Sequence, residues 1–171
     1  MADERTQRRV EALMAKADGQ LARGRFKSAW KTGLRLYRLR FSGSYEIRAK
    51  AYEGLGRPLA ARAILARGVR RAPNAPMLWS LFGAALSDAG LYDQAIRAFE
   101  TGRGIESNAN LAVFRGNQAL ALVRAGRLHE AEALLAAAPA GEPGAETCQA
   151  VALLNGVRAD LDAARQLPSS S

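Results

Sequence analysis

The stretch "LWSLFGAALSDAGLYDQAIRAFETG", Leu78 to Gly102, decides how the rest of the chain is read. Apolar residues recur at i, i+3, i+4 and i+7 on both sides of Gly90, which is the pattern of two amphipathic helices joined by a tight turn. Small residues, Gly83 and Ala95, fall where a packing side chain would otherwise stand. A helical hairpin of this kind cannot bury both of its faces alone, so further copies are expected elsewhere in the sequence.

They are present. "ARGRFKSAWKTGL" (22–34), "GLGRPLAARAIL" (54–65), "DAGLYDQAIRAF" (88–99), "RAGRLHEAEALL" (124–135) and "VRADLDAARQL" (157–167) share one register. Each has a glycine (once an alanine), an apolar residue or proline two positions later, and an alanine five positions after the glycine. Those last alanines are Ala29, Ala61, Ala95, Ala131 and Ala164, spaced by 32, 34, 36 and 33 residues. A period near 34 without strand-like alternation indicates a stacked array of helix–turn–helix units. The prolines, Pro58, Pro73, Pro76, Pro139, Pro143 and Pro168, fall at predicted turns or helix starts, where a missing N–H costs little.

The repeat resembles the tetratricopeptide repeat. Trp79, Phe82, Gly83, Leu86, Ala95 and Phe99 match its pattern in order, with Ser107 in place of the closing proline. Residues 42–75 add Tyr45, Ala49, Tyr52, Gly56, Ala61, Leu65 and a closing Pro73; in the first unit, Gln20 replaces the usual aromatic. The resemblance implies an all-α, right-handed α-solenoid over residues 1–167. Its units are about 10–41, 42–75, 76–109, 110–144 and a truncated 145–167, before a tail at 168–171. Small residues are expected at the helix crossings, with Trp79, Phe82, Leu86 and Phe99 filling the core.

Composition excludes other classes. With 49% hydrophobic residues in 171, the chain can form a substantial core, and no apolar run reaches the length of a membrane span. "MADERTQRRVEALM" is too charged for a signal peptide, so a soluble cytoplasmic protein is expected. One cysteine, Cys148, and one histidine, His129, supply neither a disulfide nor a metal cluster. Cys148 reads as a small packing residue and His129 as a solvated one. The pairs Glu130/Glu132 and Asp160/Asp162 lie at the starts of second helices, where they complement the helix dipole. No phosphate loop and no nucleophile with a base are present, so no enzyme and no cofactor are expected.

In the tetratricopeptide family the first helices line a concave groove that holds peptides or helices of partner proteins. Carried over by position, the groove here consists of Met14, Asp18, Glu46, Lys50, Glu53, Met77, Ser80, Ala84, Ser87, Asn117, Leu120, Arg124, Gln149 and Leu153. Some members clamp a terminal carboxylate with lysine, asparagine and arginine. Met14, Asp18, Ile47 and Met77 stand at such positions here and argue against that mode, favouring an extended apolar segment or an amphipathic helix. The expected function is a protein-interaction scaffold or adaptor; a tetratricopeptide chaperone of the type III secretion kind is an alternative, and the clipped last unit leaves self-association open.

Charge adds one more alternative. Residues 1–75 hold eighteen Lys/Arg against six Asp/Glu, net +12, whereas residues 76–171 hold seven against ten, net −3. Lys27, Lys31, Arg35 and Arg38 recur at near-helical spacing and, with Arg62, Arg67, Arg70 and Arg71, could form a stripe for nucleic acid or another polyanion. A solvated outer face is the simpler account of the same residues.

Overall fold

The computed structural model describes residues 4–105, 111–138 and 150–159. Every regular element among them is a helix: α1 (Glu4–Ala22), α2 (Phe26–Arg38), α3 (Gly43–Gly54), α4 (Pro58–Arg71), α5 (Pro76–Asp88), α6 (Tyr92–Arg103), α7 (Leu111–Arg124) and α8 (Leu128–Ala136), followed by helical residues 150–159. Ser107, Cys148, Gln149, Asp160 and Asp162 lie outside the described residues. None of the described helices is long and apolar enough to cross a membrane.

The recurring glycine has a backbone cause. Gly24, Gly56, Gly90 and Gly126 all take positive φ, between 66° and 76°. In each turn the residue after the glycine donates its N–H back to the helix just ended: Arg25 to Gln20 O, Arg57 to Tyr52 O, Leu91 to Leu86 O and Arg127 to Leu122 O, at 2.8 to 2.9 Å. That is the glycine-capped helix end. A Cβ at Gly126 would meet nothing within 4 Å, so the requirement there is conformational and has nothing to do with space.

The chain divides into two compact units, Met1–Ala85 and Leu86–Ser171, with the division inside α5. In the first unit, α1 packs on α2, α2 on α3, and α3 on α4, and α1 also touches α3. One core cluster joins Ala17, Leu36 and Ile47, with Val10, Leu13, Met14, Leu21 and Phe41 against it. Another joins Tyr45, Ala49, Ala61, Ile64, Leu65, Val69 and Leu78, with Tyr52, Trp79 and Phe82 packed on it. Trp79 is therefore a packing residue, as its place in the repeat predicts, though Leu78 is the more buried neighbour. Its ring is edge-on to Phe82 at 6.4 Å, and its Nε1 donates to Pro73 O at 2.7 Å.

Small residues in this unit also set close helix contacts, both between successive hairpins and within one. A Cβ on Gly33 of α2 would lie 2.6 Å from Arg48 Cγ and 3.2 Å from Ile47 Cγ2, both on α3. One on Gly68 of α4 would lie 3.0 Å from Tyr45 Cβ and Cγ. Gln20, the departure from the aromatic pattern, receives a hydrogen bond from Thr32 Oγ1 at 2.8 Å, a polar contact in place of ring packing. In the second unit, α6 packs on α7 and α7 on α8. Phe99 and Phe114, each 1% exposed, meet edge-on at 6.4 Å at the centre of that core. Leu86, Ala119, Leu122 and Ala131 are buried in the same unit, as are Ala150 and Leu154 of the last helical stretch.

Candidate ligand-binding surfaces

The groove positions divide between the two units. In the first, Met14 is half-buried and Asp18 exposed on α1; on α3, Glu46 is half-buried and Lys50 and Glu53 are exposed. Lys50 Nζ donates to Glu46 Oε1 at 2.7 Å, one helical turn away, an exposed pair that orders two side chains and adds only tenths of a kcal/mol. On α5, Met77 is exposed and Ser80 and Ala84 are half-buried. Ile47, placed at a clamp position by sequence, is 1% exposed and belongs to the core.

In the second unit, Ser87 is buried and accepts a hydrogen bond from Arg124 Nη1 at 3.3 Å, so these two positions 37 residues apart come together. Asn117 and Leu120 of α7 are half-buried, and Leu153 is exposed. Gln149 lies outside the described residues.

One groove residue lines a cavity. Met14, with Val10 of the same helix and Leu39 and Phe41 of the α2–α3 turn, walls a largely apolar space of about 630 Å³ bordered by Thr6, Gln7, Glu11 and Arg40. That volume is in the range of ligand sites, about 300 to 1,000 Å³. An apolar side chain entering it would leave water without displacing any protein group.

The basic residues are placed as surface charges. Lys27, Lys31, Arg35 and Arg38 on α2 and Arg67, Arg70 and Arg71 on α4 are exposed, and Arg62 is half-buried. Among the described residues no carboxylate forms an ion pair with any of the eight. Arg35, Arg38, Arg70 and Arg71 occupy the last turns of α2 and α4, where a cation complements the helix dipole.

Sequence reasoning missed a second pocket at the same turn. Tyr37, Arg38, Arg40, Phe41, Ser42, Tyr45, Arg71 and Ala72 enclose about 560 Å³. Arg40 takes φ 56°, the one non-glycine residue with positive φ among the described residues. The turn has the form of the glycine turns, with Phe41 N–H donating to Leu36 O at 3.2 Å and Arg40 N–H to Tyr37 O at 2.9 Å. The one signal in the sequence is an arginine in "LRFSG" where the other capped helix ends carry glycine.

Behind the two tyrosines lies Arg48, 7% exposed, its guanidinium 5.2 Å from the Tyr37 ring centroid. Tyr37 and Tyr45 meet edge-on at 5.8 Å. Arg48 Nε has no hydrogen-bond partner, and its electrostatic neighbours are Tyr52, Tyr45, Tyr37 and Arg67, with no carboxylate among them. Burial lowers its pKa from the ordinary arginine value, with the tyrosines opposing that shift, yet a guanidinium remains charged at neutral pH. The exposed groups of the second unit are ordinary surface pairs. Arg127 donates to Glu130 at 2.6 and 2.7 Å and reaches Asp93 at 3.3 Å, and Arg158 pairs with Glu132. His129 is fully exposed and 3.7 Å from Glu132, and no described group of His, Cys, Asp or Glu could hold a metal ion.

No model of a known protein family matches the chain, and no curated protein matches it in sequence. Solved structures do. TTC0263, a thermophilic TPR protein of Thermus thermophilus, superposes with a TM-score of 0.68 and 24% identity, covering 85% of this chain and 81% of that one. YrrB, described as a TPR protein with an unusual peptide-binding site, superposes with a TM-score of 0.60 and 15% identity over 87% of this chain and 74% of that one. Helix pairs of about 34-residue period, glycine-capped turns and these two likenesses together establish that this all-α chain has the tetratricopeptide-repeat fold.

Proposed function

We propose that the chain is a non-enzymatic scaffold that holds a peptide or helical segment of another protein against its first helices. The observation that carries this reading is the apolar cavity beside α1, whose wall includes Met14, a groove position named from sequence. Its apolar lining suits a hydrophobic anchor residue; burying one such side chain contributes about 1.5 to 3 kcal/mol. Met77, half exposed on α5, offers a second adaptable apolar contact of the kind used by peptide-binding surfaces. The peptide-binding site named for YrrB supports the reading by analogy of fold.

Affinity capture followed by mass spectrometry, run in parallel with wild type, Lys50→Glu and Leu120→Asp, tests it. A specific protein partner is expected whose recovery falls in one or both variants. Partners recovered equally with all three proteins would remove the groove from the account.

A second reading draws on the eight basic residues that no described carboxylate neutralises. A polyanion bound along them would lose affinity steeply between low and physiological salt, whereas an apolar peptide would not. Titration at two salt concentrations separates the two.

A further inference from the structure

We propose that the pocket on the α2–α3 turn is a binding site for a phosphate monoester, held by Arg38, Arg40 and Arg71. Three arginines from three different segments line one concavity, together with Ser42, Tyr37 and Tyr45. Among the described residues none of the three arginines has an ion-pair or hydrogen-bonding partner for its side chain, and no carboxylate lines the space. Ser42, at the N-cap of α3, makes no side-chain capping bond. A carboxylate is satisfied by one bidentate arginine; three arginines with added hydroxyl donors match the higher charge and three terminal oxygens of a phosphate. Arginine, planar and more weakly hydrated than lysine, is the suitable cation for that geometry.

Two observations set the site apart from arginines that merely complement helix ends. Arg40 lies beyond α2, in a left-handed conformation that glycine would adopt without strain, so a cation stands in this turn at a conformational disadvantage. Strained residues of this sort collect at functional sites. Buried Arg48, stacked behind Tyr37, adds a positive charge that no nearby carboxylate cancels. An anion in the pocket would be held in the field of four cations.

The neighbouring cavity suggests the rest of the ligand. Arg40 and Phe41 border both spaces, so a ligand with its phosphate in one would have the apolar cavity of Val10 and Met14 adjacent to it across this turn. That this ligand is a phosphorylated peptide rests on the protein-binding reading above; that it carries a phosphate does not.

The variant Arg40→Gly separates binding from folding, because it removes the cation while relieving the backbone. Thermal denaturation of wild type, Arg40→Gly and Arg71→Gln with inorganic phosphate, against chloride at matched ionic strength, is the first arm. Phosphate is expected to raise the midpoint of wild type alone, and Arg40→Gly without ligand is expected to melt no lower than wild type. An equal rise in Arg40→Gly, or an equal rise with chloride, overturns the site and assigns the effect to general screening. In the second arm, fluorescence anisotropy compares a peptide carrying phosphoserine next to leucine with its unphosphorylated form. A preference of about tenfold, erased in Arg40→Gly, identifies a peptide as the source. Phosphate stabilisation of wild type without either peptide binding upholds the phosphate site and counts against the protein-binding reading of the adjacent cavity.

Discussion

Substituting Gly33 by alanine sets two effects of opposite sign against each other. Alanine is the better helix former by about 0.8 to 1 kcal/mol, and Gly33 lies inside α2. The added Cβ, however, would stand 2.6 Å from Arg48 Cγ, a distance that real side chains do not adopt. Arg48 has little room to yield: it is 7% exposed, and its guanidinium is stacked on Tyr37. Overpacking of this kind costs about 1 to 3 kcal/mol, so the net change is a loss of about 1 kcal/mol, with zero and two as its bounds. Gly19→Ala is the control. It lies inside α1, its Cβ would come only within 3.4 Å of the flexible Arg23 Nη1, and it should stabilise by about 1 kcal/mol. Urea denaturation followed by circular dichroism reads both, the midpoint falling for one and rising for the other at unchanged slope. In an Arg48→Ala background the closest obstruction is gone and only Ile47 Cγ2 at 3.2 Å remains, so Gly33→Ala should then cost less or stabilise, a coupling of about 1 to 2 kcal/mol in the double-mutant cycle. Equal stabilisation by Gly33→Ala and Gly19→Ala in the native background would refute the close α2–α3 approach.

Gly126→Ala should destabilise by about 1 to 2 kcal/mol although its Cβ has open space, because φ there is 76°; Gly126→Asn should lose less, and equal effects of the two in urea titration would count against the backbone cause. Glu130 has its pKa lowered by the hydrogen bonds from Arg127, so its small contribution to stability is present above the unfolded carboxylate value of about 4.3 and is lost as pH falls through the lower folded value. Comparing denaturation of wild type and Glu130→Gln on either side of that window should show the difference at neutral pH only.

The fold was legible because its period is written in residues with few alternatives. A glycine held at positive φ, an apolar residue or proline two positions on and an alanine five positions on recur at the four described turns between a first helix and a second. Packing depth was less legible. Leu78 and Trp79 are adjacent and both apolar, and which of them enters the core more deeply depends on neighbours contributed by α3 and α4. Ile47 was placed toward the groove by analogy, but its position against Ala17 and Leu36 follows from how α1, α2 and α3 meet. The exposure of the basic residues on α2 and α4 could be anticipated from their charge. The pocket around Arg40 could not, because it is made by a turn between repeats, where the 34-residue pattern says nothing, and by a residue on α4 more than thirty positions away.

The central claim, that a protein partner lies against the first helices, is tested most directly by site-specific photocrosslinking in cells. A photoreactive phenylalanine analogue replaces Met77 on the proposed binding side and, separately, Leu59, which is 71% exposed near the start of α4, a second helix. Crosslinks from Met77 to a discrete protein, absent from Leu59, are the result the account predicts. Crosslinks from Leu59 to that protein with none from Met77 would contradict it.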